Sequence, residues 1–253
     1  MSFLSKLFGA SESSADAASL VALEVDMHSH LLPGLDDGAE TPEQALELLR
    51  QLQALGYRKL IMTPHVMGDF YRNTPEGIRG ALAALKTAAA RAGIMGLELD
   101  CAAEYYLDEY FGRRLEQQEP LLTFGGARRL LLFETSYINE PFNLNESIFN
   151  MQAAGYQPVL AHPERYTYLY GRFEELERLR KQGVMLQVNL NSLAGYYSSG
   201  AKRVAEKLID AGLVDMLGTD THHSKHLDTL RTKTLATPYL AKALALPLLN
   251  NTL

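Results

Sequence analysis

The chain has 253 residues, 47% of them hydrophobic, enough to bury a large core as one α/β domain or two smaller ones. A net charge of −6 excludes a non-specific nucleic-acid binder, which needs a basic surface to neutralise phosphates, but leaves room for a phosphorylated ligand in a local positive site. The single cysteine excludes an internal disulfide and fits a reducing compartment; with no apolar run of membrane-spanning length and no signal peptide, the expected location is the cytoplasm.

Residues 1–20 stand apart from the rest, rich in Ser and Ala with Phe3, Leu4, Leu7 and Phe8 at helical spacing around Lys6. They read either as a disordered tail or as an amphipathic tether to a membrane or a partner. Residues 21–253 form the expected folded domain, in which short apolar strands alternate with amphipathic helices. Leu20 to Val25 reads as a first strand, leading into Asp26-Met27-His28-Ser29-His30 and, past Pro33-Gly34, into Asp36-Asp37. On an extended chain residues i and i+2 share a side, so His28 and His30 present both imidazoles in one direction.

A helix is expected from Thr41 to Leu55, with Pro42 in its first turn, then a strand from Lys59 to Thr63 ending at Pro64-His65. A helix from Pro75 to Ala92 precedes a strand from Leu97 to Ala103 that ends at Glu104. A short helical piece near Asp108 to Gln117 leads to a strand, Arg129 to Phe133, ending at Glu134. Helix Leu144 to Ala154 precedes strand Gln157 to Ala161, which ends at His162-Pro163-Glu164-Arg165. Helix Phe173 to Gln182 precedes strand Val184 to Leu190, and helix Ala201 to Ala211 precedes strand Val214 to Gly218, ending at Asp220-Thr221-His222. The stretch to Leu253 is expected to be a last helix covering one end.

Leu55-Gly56-Tyr57, Ala92-Gly93-Ile94, Ala154-Gly155-Tyr156 and Ala211-Gly212-Leu213 repeat one device, a left-handed glycine that ends a helix and returns the chain to the sheet. Such short returns imply parallel strands, and seven strand–helix units fit a closed (β/α) barrel better than an open doubly wound sheet. No Gly-x-Gly-x-x-Gly follows any strand, which speaks against a dinucleotide site.

His28, His30, His65, Glu104, Glu134, His162, Asp220 and His222 all fall at or just beyond strand C-termini, the face where barrel enzymes keep their chemistry. Of the seven histidines only His223 and His226 lie outside this set. Carboxylates buried without basic neighbours are costly unless they coordinate a cation, and these donors exceed what one ion needs, so two or three ions sharing carboxylate bridges are implied.

His28-x-His30, Asp37, His65, Glu104, His162 and Asp220-x-His222 resemble the motif set of the polymerase-and-histidinol-phosphatase (PHP) superfamily. With Leu35-Asp36-Asp37-Gly38-Ala39, Thr63-Pro64-His65, Leu132-Phe133-Glu134 and Ala161-His162-Pro163-Glu164-Arg165-Tyr166, the chain is similar to one branch, the manganese-dependent bacterial protein-tyrosine phosphatases of the capsular-polysaccharide system. The resemblance runs from Val25 to about His226 and leaves the first 24 residues unexplained. It implies a distorted seven-stranded (β/α) barrel with its active site at the strand C-terminal face. It also implies a trinuclear centre of manganese, with iron, zinc or magnesium as alternatives. His28, His30, Glu104 and Asp220 would hold the first ion, Glu104, Glu134 and His162 the second, and Asp37, His65 and His222 the third. Asp36 would either orient a ligand or satisfy turn amides. Arg165 matches the phosphate-binding arginine, its planar fork suited to phosphate oxygens; the alternative for Arg165 is a surface ion pair with Glu164.

The expected chemistry is in-line attack on phosphorus by a hydroxide that the ions generate, with Arg165, Asp220 and His222 as the catalytic set. Phenolate, with a pKa of ~10, is a tolerable leaving group, so a dedicated general acid is less necessary than for serine esters. A cysteine mechanism would need Cys-x5-Arg, yet Leu107 stands six residues after Cys101. Tyr166, Tyr168 and Tyr170 either stack on a phosphotyrosine ring or pack the barrel wall, and Phe70, Tyr71 and Arg72 could shape the mouth. The implied partner is a phosphotyrosine protein, such as the Tyr-rich tail of a bacterial tyrosine kinase. Alternatives are a histidinol-phosphate-type phosphatase, an amidohydrolase (which would commonly carry a modified lysine where Glu134 stands) and a non-catalytic phosphotyrosine-binding regulator.

Overall fold

The computed structural model describes residues 20–253, so the reading of the N-terminal tail falls outside it except at Leu20, which is buried. Two helix starts follow from their caps: in α1 (Pro42–Ala54) the Thr41 side chain accepts from the Gln44 amide, and in α2 (Pro75–Arg91) Thr74 does the same for Gly77. Gly56, Gly93, Gly155 and Gly212 all take the left-handed φ expected of helix-ending glycines.

Every strand pairing is parallel, and the strands fall into two sheets. The first contains β1 (Val25–Asp26), β2 (Lys59–Met62) and β4 (Glu98–Cys101), in the order β1-β2-β4. The second runs β3-β5-β6-β7-β8-β9, formed by β3 (His65–Val66), β5 (Glu104–Tyr106), β6 (Leu130–Glu134), β7 (Gln157–Ala161), β8 (Met185–Asn189) and β9 (Met216–Gly218). The expected single ring of seven strands is therefore resolved into two α/β parallel sheets. Two expected strands, Lys59 to Thr63 and Leu97 to Ala103, end early and are each followed by an unexpected short strand: Thr63 and Pro64, which has no N–H to donate, separate β2 from β3, and Ala102-Ala103 separate β4 from β5. The first expected strand is also shorter, because Leu20–Ala22 is a 3₁₀ turn that buries Leu20 and Leu23 together.

Alternate residues of β6 enter different apolar clusters, Leu131 and Phe133 the large one that includes helix residues, Leu130 and Leu132 a smaller one with Met27, Ile61, Val159 and Met216. Glu134 continues the Leu130–Leu132 face, so the candidate chemistry sits on an apolar floor. The remaining helices are α3 (Glu109–Glu116), α4 (Leu144–Ala153), α5 (Phe173–Lys181), α6 (Ser199–Asp210), α7 (Ser224–Thr232) and α8 (Pro238–Leu244). The expected single C-terminal helix is thus α7 and α8, split ahead of Pro238 and followed by a 3₁₀ turn at Asn250–Thr252. No helix among the described residues is long and apolar enough to cross a membrane.

Between β1 and β9, where no regular ladder forms, Asn250 replaces a strand. Its side chain accepts from the Leu217 amide at 3.0 Å and donates to the carbonyls of Val25 at 2.9 Å and Leu217 at 2.7 Å, all buried. Asn250→Ala leaves three buried backbone groups without partners and is expected to cost about 3 kcal/mol, read as a lower urea midpoint at unchanged m-value.

Candidate metal centre

Every candidate donor but Asp37 stands at or close to one end of a strand. His28 and His30 follow β1, and the chain there is pinned by hydrogen bonds to the segment after β9: Asp220 N to His28 O at 2.8 Å and His30 N to Thr221 O at 2.9 Å. His65 opens β3, Glu104 opens β5 and Glu134 closes β6. His162 and Asp220 both have positive φ, 33° and 50°, a rare conformation for side-chain-bearing residues that turns the chain sharply after β7 and β9. Close approach adds two glycine requirements. A Cβ on Gly38 would meet His30 O at 1.9 Å, and one on Gly218 would meet both Gln187 Nε2 and the His28 Cβ at 2.8 Å.

Glu104 is fully buried at the centre of the cluster. Its carboxylate lies 3.3 Å from His28 Nε2, 3.5 Å from His30 Nε2, 3.1 Å from His65 Nδ1 and 3.1 Å from His162 Nε2. Burial pushes this carboxyl up, but the surrounding imidazoles, His28 and His65 foremost, outweigh burial and hold it well below the usual range. Asp220 behaves alike, with His28 its leading counter-charge. Conversely burial pulls His30 down, yet Asp36 prevails and lifts it to about 10.

Ligand atoms converge in four overlapping groups: His28, His30 and Asp220; His28, Glu104 and His162; His65, Glu104 and Glu134; and His30, Asp37, His65 and His222. All nine expected metal-binding residues are thus brought together. His65 stands between two groups, Nδ1 facing Glu104 and Glu134, and Nε2 lying 3.5 Å from Asp37. His65 Nδ1 and Glu104 Oε2 are buried, 3.1 Å apart, and neither makes a hydrogen bond among the described residues. Buried polar atoms normally find partners, so these orphans, within a mixed imidazole and carboxylate set, fit metal ions.

A further layer orients these donors. Asp36 does both things considered for it: its carboxylate accepts from His30 Nδ1 at 2.7 Å and from the amides of Gly38 and His65 at 3.0 Å each. The first contact keeps a proton on His30 Nδ1, so that Nε2 is the nitrogen that would give its lone pair to a cation displacing its second proton. Gln187 does the same for His28, its Oε1 lying 2.8 Å from Nδ1, and its amide nitrogen donates to Asn189 Oδ1. Asn189 in turn donates to Asp220 Oδ2 at 2.6 Å. Neither Gln187 nor Asn189 was singled out from sequence, although two polar residues at i and i+2 in an apolar strand are a readable signal.

Arg165 donates to Asp220 Oδ2 at 2.8 Å and lies between the rings of Tyr137, 4.4 Å away, and Tyr197, 4.2 Å away. Its side chain keeps about one fifth of its surface exposed, unlike a surface ion pair. The alternative pairing with Glu164 is overturned: Glu164 is fully buried and turned inward, accepting from the Asn189 amide and Ser192 Oγ. Tyr166 packs the wall, donating to Ala161 O and accepting from the Thr135 amide, and Tyr168 bonds Thr135 Oγ1. Tyr170 bonds Ser198. The aromatic partners of Arg165 are therefore Tyr137 and Tyr197, which sequence reading missed because both come from loops distant in the chain. Tyr71 stacks on His65, whereas Phe70 is exposed beside it. Cys101 is buried, its thiol pushed up to about 11 by burial and Asp100, so it is no nucleophile. A pocket of about 290 Å³ opens over the donors, lined by Asp37, His65, His162, Arg165, Asp220 and His222, together with Tyr137, Tyr197, His223 and His226.

A family model described as capsular polysaccharide synthesis, CpsB/CapC, matches residues 24–238. The chain belongs to the CpsB/CapC family. That match spans every donor from His28 to His222. Among relatives, the tyrosine-protein phosphatase YwqE of Bacillus subtilis is 29% identical over 206 residues, covering 79% of this chain and 78% of its own. The tyrosine-protein phosphatase CpsB of Streptococcus agalactiae is 25% identical over 205 residues, covering 79% and 83%. A chain from the crystal structures of YwqE from Bacillus subtilis and CpsB from Streptococcus pneumoniae, described as metal-dependent tyrosine phosphatases, aligns with a TM-score of 0.73 at 26% identity, over 87% of this chain and 84% of that one. The resemblance read from the motifs, to the bacterial tyrosine phosphatases of the capsular-polysaccharide system, is borne out.

Proposed function

We propose that this CpsB/CapC-family chain is a metal-dependent protein-tyrosine phosphatase of the capsular or exopolysaccharide system, with the Tyr-rich tail of a bacterial tyrosine kinase as its substrate. The observation that carries the reading is Glu104, a buried carboxylate facing four imidazoles with one oxygen unpartnered, beneath a pocket into which Arg165 reaches. His28, His30, Glu104 and Asp220 would hold one ion, Glu104, Glu134 and His162 a second, and Asp37, His65 and His222 a third, manganese being the metal in view. When bound, the ions would acidify a water and draw charge from phosphate oxygens.

The residues of the chain supply the rest. Arg165 keeps one arm on Asp220 and offers the other to the phosphate, with Tyr137 and Tyr197 fixing the guanidinium plane. Asp36 and Gln187 hold the two imidazoles of the His-x-His pair with Nε2 turned inward. Phenolate depends less on protonation to leave than a serine alkoxide does, which agrees with a pocket whose two carboxylates among the described residues, Asp37 and Asp220, both sit beside imidazoles. The two sheets, linked through His28, His30 and Asn250, are best read as a distorted seven-unit barrel in a single domain over residues 21–253. A lone buried cysteine fits a cytoplasmic setting.

Prolonged chelation is expected to abolish activity and manganese to restore it, measured on a phosphotyrosine peptide with metal content determined in parallel. Full turnover in metal-free protein would end this reading. The substrate class is tested by assaying phosphotyrosine peptides, phosphoserine peptides and histidinol phosphate side by side after manganese reconstitution. A preference for histidinol phosphate would replace the tyrosine-phosphatase reading with the small-molecule one.

A further inference from the structure

The pocket over the donors contains two histidines that none of the converging groups uses, His223 and His226. His226 is the buried one, and it is held from several sides. Its carbonyl accepts from the buried Asn191 amide group at 3.0 Å, its own N–H donates to His223 O, and its ring stacks on His223 at 4.2 Å while Tyr196 packs edge-on at 5.0 Å. The decisive contact is at Nδ1, which accepts the backbone N–H of His222 at 3.1 Å. A backbone amide only donates, so Nδ1 carries no proton, and the ring is the neutral tautomer protonated at Nε2. Nε2 has no protein partner among the described residues, and it belongs to a side chain that lines the pocket.

We propose that His226 is a substrate-binding residue, whose Nε2–H donates a neutral hydrogen bond to a non-bridging oxygen of the phosphate monoester in the pocket shared with Arg165. The inference rests on reading this pocket as a phosphatase site. His226 binds and does not protonate: surrendering the Nε2 proton would leave an imidazolate, since the His222 amide N–H is too weak an acid to pass its proton to Nδ1 in exchange. The donor is therefore already oriented before substrate arrives and stays so throughout the reaction, because the His222 N–H that Nδ1 accepts is too weak an acid to transfer its proton. A contact made equally in ground and transition states lowers KM and leaves kcat nearly alone.

The test compares His226→Leu and His226→Gln with the wild type. Glutamine keeps one acceptor for the His222 amide and one donor for the phosphate; leucine keeps neither. Calorimetric titration of inorganic phosphate into manganese-loaded protein is expected to show binding about tenfold weaker for His226→Leu, with KM for a phosphotyrosine peptide rising by a similar factor, and most of both recovered in His226→Gln. Bound manganese and kcat should stay close to wild type. Wild-type phosphate affinity in the leucine variant would overturn the proposal, and so would loss of metal, which would mean the ring only props His222. Nitrogen-15 imidazole spectra of the metal-free wild type provide a readout independent of folding in the variants: an Nε2–H signal that shifts on adding phosphate supports the proposal, and an Nδ1–H signal refutes it. If the wild type binds phosphate but does not hydrolyse the peptide, the phosphatase reading fails while the phosphate titration still decides the role of His226.

Discussion

Glu104→Gln is expected to strip the metal centre and reduce turnover at least about a thousandfold, equivalent to about 4 kcal/mol of transition-state stabilisation, in a protein that remains folded. The amide matches the carboxylate in shape, so packing in this fully buried position is preserved. Its charge is not. Glu104 is the residue within 3.5 Å of four imidazole nitrogens contributed by His28, His30, His65 and His162, the position from which one side chain can serve two cations. A neutral amide there would bring N–H groups against the Nε2 atoms of His28, His30 and His162, which must be lone-pair donors. Elemental analysis alongside kcat, with a thermal melt to verify folding, checks the result. Wild-type occupancy and turnover would show that the cluster is a buried polar network and not a metal site.

The donors themselves could be read from the sequence because residue type and position agree: a strand that ends in His, Glu or Asp places that side chain at one end of the sheet whatever its neighbours are. Glycines ending the helices marked the returns in the same local way. What escaped depends on contacts between distant segments. Gln187 and Asn189, on β8, orient His28 after β1 of the other sheet and Asp220 after the adjacent β9, and Tyr137 and Tyr197 meet across Arg165 although sixty residues separate them in the chain. Glu164 adjoins Arg165 in sequence, so an ion pair was a natural local reading, but the 3₁₀ turn at Pro163–Arg165 sends the two side chains apart. The splitting of the array into two sheets was foreshadowed only by Pro64, and the part played by Asn250 by nothing local at all.

Arg165→Lys is expected to lower kcat by about 30- to 1,000-fold, roughly 2–4 kcal/mol, while bound manganese stays unchanged. Asp220 Oδ2 accepts from Arg165 Nη1 at 2.8 Å, from Asn189 Nδ2 at 2.6 Å and from Tyr197 OH at 3.3 Å, so two donors still hold it when the guanidinium is gone. The other Asp220 oxygen, 3.6 Å from His28 Nε2 and 3.5 Å from His30 Nε2, keeps its place among the metal donors. Lysine retains the positive charge but has a single nitrogen. It can pair with Asp220 or face the phosphate, whereas the guanidinium does both from one plane held by Tyr137 and Tyr197. The loss should therefore fall on the chemical step and not on the ions, and kcat, KM and manganese content measured on one preparation separate the two. Near-normal kcat/KM would remove Arg165 from the reaction. Loss of metal would instead make its pairing with Asp220 its main role, and the phosphate would then depend on the ions and the remaining donors of the pocket.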